Sequence, residues 1–519
     1  MKKTTCFLLI CALMCGYTSS PTLVADASDA ATYQEYKEQV AAKEASAFPD
    51  PDARYTVVTD GDYEYHVYDE FAVLSECKNT DIIDAVIPET VDDLPVVGLV
   101  ESPFSYCHKL SSITLPDSFE HFSWYHLVEN VTTKAGSAEE YLPSVSEIIV
   151  SETNPYFTVA DGILYTKDMK TLVGCPPTLG ITELNIPEQT DTIGDYAFFA
   201  CMDLETAIIP ENIERINNNA FTACMNLKTA EIPKSMTYLP GDMFFYCTSL
   251  SEVTFKGQLE KIGYGAFYEC PALTDFVIPD TVTKIGWKAF NGAGCVEAVN
   301  SLQYVQNWLV SCDTDINEAV IRKGTTGIAE MSLFAIEGLK TIEVPSSVEN
   351  IGSYWCSGFP SGDLSVLHYR ASCIPENTLS AARSCSDIYI YDPFCDIFDS
   401  EKTIAPIYRY YTEEQSSDSS LTAETESEGD IVIHGYSGST AQEYAEKYNR
   451  KFERIKPSGD VNGDGELNIS DVVLLQKWLL AVPDTHLADW KATDLCEDNR
   501  LDVFDLCLMK RELLKESNT

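Results

Sequence analysis

The sequence predicts a repeat solenoid with a long parallel sheet of short strands, followed by a small all-α module. Three observations carry this reading. From Leu204 to Cys295 the chain repeats every 23 residues: Leu204, Leu227, Leu250 and Leu273 form one column. Phe198, Phe221, Phe244, Phe267 and Phe290 form a second, and Cys201, Cys224, Cys247 and Cys270 a third. A fixed period of roughly 20–50 residues marks a solenoid, in which each unit buries its apolar side only against its neighbours. Within each unit, the phrase Leu-x-x-Ala/Val-x-Ile-Pro alternates as a short strand does. Finally, two Asp-rich loops near the C-terminus each run straight into a helix-like apolar pattern.

The length of 519 residues suits such an array, whose core grows by stacking. With 35 Lys and Arg against 81 Asp and Glu, the formal charge is −46. That surface repels nucleic acid and anionic membranes and suits solubility and calcium binding; a solvated acidic exterior is the plainer reading. Residues 1–27 read as an export signal: Lys2 and Lys3, an apolar run from Cys6 to Gly16 too short to span a bilayer, then Ala25-Asp26-Ala27 as a cleavage site. The mature chain is expected to be secreted, with no membrane insertion. Three of the 18 cysteines lie in this signal. The odd number remaining requires at least one unpaired thiol or an intermolecular bond. The cysteine column reads as free, inward-facing thiols stacked coil over coil, serving as small apolar fillers.

Residues 28–74 are expected to cap the array. A helical segment over 28–47 ends at Pro49 and Pro51, and two β-rich runs flank Asp60-Gly61 as a hairpin. The solenoid spans 75–455. Residues 119–146 depart from the period, and their Phe119, Phe122, Trp124 and Tyr125, with His121 and His126, form either a ligand platform or packing for the insertion. Residues 154–175 read as a hairpin turning at Asp161-Gly162, and 296–312 as a strand-rich variation. Residues 412–430 hold seven acids and no base, and read as a flexible exposed loop. Residues 431–455 supply a strand and short helix as the C-terminal cap, and 456–519 a short linker and the last domain.

In each coil Leu227, Ala230 and Ile232 are expected to face in, with Thr229 and Glu231 facing out. The proline ends the strand because it cannot donate to a ladder. In the following Ile-Gly-x-x-Ala-Phe phrase, glycine is expected to permit the bend and Ala-Phe to fill the core. Outward positions such as Thr206, Ile208, Glu252, Thr254, Asp275 and Val277 are mixed and carry no aromatic ridge. The phrases IGDYAFFAC and IGYGAFYEC, the ADGILYTKDMKTLVGCPP hairpin and the terminal HGYSGSTAQEYAEKYNRKF resemble BspA-like (Treponema-type) leucine-rich repeats over residues 55–455. The resemblance implies an α/β leucine-rich repeat fold, a secreted or surface location, and adhesion or protein binding without catalytic residues.

Asp460 to Asp471 is an EF-hand-like loop. Asp460, Asn462, Asp464, Asn468 and Asp471 supply oxygen ligands, Glu466 its carbonyl, and Gly465 the sharp turn. The second loop keeps Asp494, Asp498, Asp502 and Asp505, with Arg500 at the carbonyl position. Cys496 stands at its third position, a poor ligand for a hard cation, so the second calcium site is expected to be the weaker. Two loops 34 residues apart, each ending in Asp and followed by one helix, resemble a dockerin domain over 459–515. That resemblance implies calcium-dependent folding and binding to a cohesin module of a scaffoldin, as in a cellulosome. It also implies partner selection by Ile469, Ser470, Val503 and Phe504. These two pairs differ, which argues against two symmetry-related binding orientations.

The reading is therefore a non-catalytic extracellular interaction protein, anchored through calcium and presenting its repeats to a protein or glycan. A carbohydrate-binding module, resting on the aromatic insertion, is the alternative; a polysaccharide-degrading enzyme is a third. None of the seven histidines sits in a nucleophile or metal motif, and there is no G-x-S-x-G or H-E-x-x-H.

Overall fold

The computed structural model describes residues 54–516 apart from 101, 125–143, 335, 337, 357–363, 377–378, 380–384, 402, 405–430, 464–465 and 497–499. The export segment 1–27, the helix expected over 28–47, the acidic loop 412–430, and Tyr125 and His126 of the insertion lie outside the described residues. The chain divides into two compact units, Met1–Glu297 and Ala298–Thr519. Parallel β-solenoid coils, about 14 in all, build both units.

The first unit opens on antiparallel strands Thr56–Asp60, Tyr63–Val67 and Ala72–Cys77, which turn at Gly61 as the Asp-Gly signal requires. A second hairpin, Phe157–Ala160 with Ile163–Thr166, turns at Asp161 and Gly162, both left-handed. The coils that start at Leu204, Leu227 and Leu250 then contribute two strands each, and the coil that starts at Leu273 only the second. One is the alternating phrase, paired in register with its neighbours as Thr206↔Thr229↔Glu252 and Ala207↔Ala230↔Val253. The other has only two residues, as in Tyr238–Leu239, Lys261–Ile262 and Lys284–Ile285, and stacks into a separate parallel ladder. The array thus carries two ladders where the sequence indicated one. Leu227, Ala230 and Ile232 are buried, and Thr229 and Glu231 lie on the other side, as the alternation predicts.

Side chains one period apart stack directly. The rings of Phe198, Phe221, Phe244, Phe267 and Phe290 follow one another at 5.0, 5.7, 5.8 and 5.4 Å, within 23° of parallel. The cysteine column does more than fill space. Cys224 donates to the Phe198 carbonyl at 3.0 Å, Cys247 to Phe221 at 3.2 Å and Cys270 to Phe244 at 3.1 Å. Burial pushes these three thiols up, so they stay protonated and able to donate. The 15 cysteines from Cys77 to Cys507 are free, in keeping with the expected thiol column.

The bend is not made by the glycine of the Ile-Gly phrase. Two left-handed residues per coil make it, four apart: Asn219 and Ala223, Asp242 and Tyr246, Gly265 and Glu269. This backbone aims successive N–H groups of the return arm at the next coil, as in Ala223 N to Phe245 O (2.7 Å), Tyr246 N to Tyr268 O (2.8 Å) and Glu269 N to Asn291 O (2.7 Å). Corners are thereby stitched as well as strands, which satisfies backbone groups that a buried turn would otherwise orphan. Gly263 and Gly286 serve a different need. A Cβ on Gly263 would lie 2.6 Å from Gly241 N, and one on Gly286 2.5 Å from Tyr264 N. Glycine there permits close approach between coils.

The second unit begins with the hairpin Leu302–Val305 and Trp308–Cys312 and continues as a six-stranded sheet ending at Val432–Gly435 and Lys451–Arg454. Between those last two strands, helix α1 (Thr440–Lys447) is capped by Ser439, which accepts from Gln442 N, and buries Ala441, Tyr444 and Ala445. The helical module follows, with α2 (Ile469–Leu479) and α3 (Val503–Glu516) packed around Val461, Val472, Leu475, Leu506 and Met509. It rests on the end of the solenoid. The Tyr436 hydroxyl donates to Asp489 Oδ2 at 2.9 Å, and Trp490 stacks 6.2 Å from Phe394.

Candidate metal and docking site

Each loop closes on the carboxylate of its last residue. Asp471 is fully buried; its Oδ1 accepts from Val461 N at 3.0 Å and Asn462 N at 3.1 Å, and its Oδ2 from Asn468 N at 2.8 Å. Asn468 in turn accepts from Ser470 N at 2.8 Å, completing a capping box that starts α2. The second loop repeats the clasp. Asp505, also fully buried, accepts from Cys496 N at 3.2 Å and Asp502 N at 3.0 Å, while Asp502 accepts from Phe504 N at 2.7 Å. Because the same carboxylate draws the loop's amides together and starts the helix, loop and helix form one unit.

Asp460 and Asp494, the first residues of the two loops, are both buried. In the first loop the described donors Asp460, Asn462, Asn468 and Asp471 are all oxygen groups, which suits a hard cation such as calcium. Glu466 is exposed, as a residue ligating through its carbonyl permits. Asp464 lies outside the described residues. In the second loop Asp494, Cys496 and Asp505 bring their ligand atoms within 4.8 Å of one another, with Asp502 at the helix start and Arg500 exposed. Asp498 lies outside the described residues. The Lys491 ammonium stands 3.9 Å from Asp494 Oδ2.

The four residues expected to choose a partner are exposed at the helix starts. Ile469 is 75% exposed and Phe504 68%; Val503 and Ser470 are exposed as well. Exposed Val473, Trp478, Leu480 and Val482 extend the apolar surface along and beyond α2. The last four were not singled out from sequence. Their signal was present: Val473 and Trp478 fall off the Val472, Leu475, Leu479 face that meets the core.

Two other surfaces bear on function. Phe119 and Trp124 of the irregular segment are buried, and Phe122 packs against Trp124, so the described part of this insertion is packing. A row missed by sequence reasoning lies on the outward side of the last coils. Glu343, His368, Tyr389, His434 and Glu453 pair in register across five strands. His368 lies 4.9 Å from Tyr389, which stacks 4.0 Å from His434 at 6°. His434 Nε2 is 2.8 Å from Asp387 Oδ1, and His368 Nδ1 2.9 Å from the Tyr391 hydroxyl. Strict alternation in Ile388-Tyr389-Ile390-Tyr391 was the signal that could have found it. The rings lie face against face along the row.

Comparison with known proteins agrees with this division. The BspA type leucine rich repeat region matches in six copies over residues 177–296 and 304–399, and the dockerin type I domain matches residues 458–514. Both are of non-catalytic kinds. None of the curated proteins matches the chain. Among solved structures, a leucine rich cell surface protein from Faecalibacterium prausnitzii is 20% identical, covering 77% of this chain and 95% of its own, at a TM-score of 0.28. A leucine-rich repeat protein from Bacteroides ovatus is 17% identical, covering 79% of this chain and 100% of its own, at a TM-score of 0.31. Among the described residues no helix is long and apolar enough to cross a membrane.

Proposed function

We propose that this chain, which joins a BspA-type leucine-rich repeat region to a C-terminal dockerin type I domain, is a non-catalytic extracellular interaction protein of a cellulosome-type assembly. The dockerin module binds calcium, foremost in the first loop through Asp460, Asn462, Asp464, Glu466, Asn468 and Asp471. It docks on a scaffoldin cohesin through Ile469, Ser470, Val503 and Phe504. The solenoid, held on the same module by Tyr436 and Asp489, presents its outward strand face to a protein or glycan partner.

The observation that carries this reading is the duplicated clasp, in which a buried aspartate gathers each loop's amides and places apolar residues, exposed, at the following helix start. An array whose regular positions are spent on packing, and whose His434–Asp387 pair is covered by Tyr389, gives a hydrolase little to work with. The test is a pull-down from culture medium with the full chain, with calcium or a chelator, followed by mass spectrometry. Capture of a cohesin-bearing scaffoldin with calcium, lost with chelator and in Phe504→Asp, supports docking. Absence of any cohesin-bearing protein with calcium rejects it. Capture of polysaccharide in place of protein by the repeats would favour the carbohydrate-binding alternative.

A further inference from the structure

We propose that the second loop of the dockerin module is a thiolate site for a borderline divalent cation, zinc, built from Asp494, Cys496 and Asp505. The inference rests on the calcium-docking reading above, which assigns the first loop its ion. The two loops share one backbone clasp and differ in what they offer a metal. At the third position the first loop has the Asn462 amide and the second the Cys496 thiol. Calcium takes roughly six to eight oxygen ligands, and a sulfur donor serves it poorly. Zinc needs only about three protein donors and a water, and favours a thiolate among them.

The geometry fits that smaller set. Cys496 Sγ lies 3.7 Å from Asp494 Oδ1. Bond lengths of about 2.3 Å to sulfur and about 2.1 Å to oxygen, at a tetrahedral angle, give an edge of about 3.6 Å. All three ligand atoms lie within 4.8 Å of one another, and both carboxylates are buried. Among the described residues this is the one such group of three His, Cys, Asp or Glu donors. That the loop is a cation site by kind is supported separately by the dockerin match over 458–514. Binding exchanges the thiol proton for the metal: Cys496–SH and Zn2+ give a Cys496–S–Zn bond and one released proton, with no change of oxidation state. Since α3 begins inside this loop, the ion would set how Val503 and Phe504 are presented.

The test uses the reduced, metal-free full chain, titrated with cadmium as a spectroscopic stand-in for zinc. One equivalent should produce a sulfur-to-cadmium charge-transfer band. Zinc should displace the band and excess calcium should leave it. It should vanish in Cys496→Ser. Cys496→Asp should lose the band and gain calcium affinity at the second site by on the order of tenfold or more. No band, a band abolished by calcium, or a band surviving in Cys496→Ser would each overturn the proposal, as would two calcium equivalents of equal affinity in the unaltered chain. Calcium uptake at the first loop is read in parallel. Its failure defeats the calcium reading and leaves the cadmium result standing.

Discussion

Asp242 shows how much one side chain in a repeat can depart from its neighbours. It occupies a left-handed corner position held by Asn219 one coil earlier and Gly265 one coil later. Its Oδ1 is sealed from water without a hydrogen-bond partner, and burial raises its pKa from 3.8 to about 7, with Asn219 opposing the shift. A folded pKa above the unfolded value means that the folded state binds more protons. The array is therefore most stable below pH 4 as far as this group is concerned, and loses stability as pH rises through about 7. Asp242→Asn, which tolerates the same backbone, should stabilise the chain by roughly 2–4 kcal/mol above pH 8 and leave it unchanged near pH 4. Urea denaturation at the two pH values reads this; equal effects at both would refute it. The sequence reading set the bend on the glycine of the Ile-Gly phrase, and the cost of Asp242 was not legible either, because burial of one oxygen depends on the coil above.

At the scale of the coil, Gly263 makes the same point about backbone. Its Cβ would stand 2.6 Å from Gly241 N and 2.7 Å from Leu239 O, atoms of the preceding coil that cannot move alone. Gly263→Ala should cost at least about 2 kcal/mol, the scale of overpacking in a closed core. Gly61→Ala, where nothing lies within 4 Å but φ is +59°, should cost about 1 kcal/mol through backbone strain. Thermal unfolding of both variants ranks them, and the reverse order would contradict this account. Columns of Leu, Phe and Cys, the Asp-Gly hairpins and the two Asp-rich loops could all be read in the chain because each is a local pattern or a repeat. The reason for Gly263 could not, since close approach relates residues a coil apart. The His368–Tyr389–His434 row was missed where the repeats degenerate and no column guides the eye, though the two-residue alternation of its strands was in plain view.

At the scale of the molecule, the C-terminal cap and the dockerin module meet through a buried Tyr436–Asp489 hydrogen bond spanning 53 residues of sequence, too distant for any motif. Burial raises Asp489 to about 6, against the pull of Ala492 N and Tyr436. The sign is again that of a raised acid, so protonation favours the joint and its strength falls as pH rises through about 6. Above that pH the Tyr436 hydroxyl supports a buried carboxylate, so Tyr436→Phe should loosen the joint by about 1.5–3 kcal/mol at pH 7.5 and less at pH 5. Hydrogen exchange at the Ala492 amide, which donates to Asp489 Oδ1 at 2.9 Å, reports the loosening. Unchanged exchange would show that the joint is held elsewhere.

The docking proposed for the dockerin type I module is the central claim. Isothermal titration of the full chain with a scaffoldin cohesin, in calcium and again in chelator, measures it most directly. The account predicts tight one-to-one binding with calcium, abolished by chelator and weakened at least about tenfold by Phe504→Asp, since burying a charge in an apolar contact costs more than about 1.4 kcal/mol. Binding of equal strength in chelator, or none to any cohesin in calcium, would contradict it.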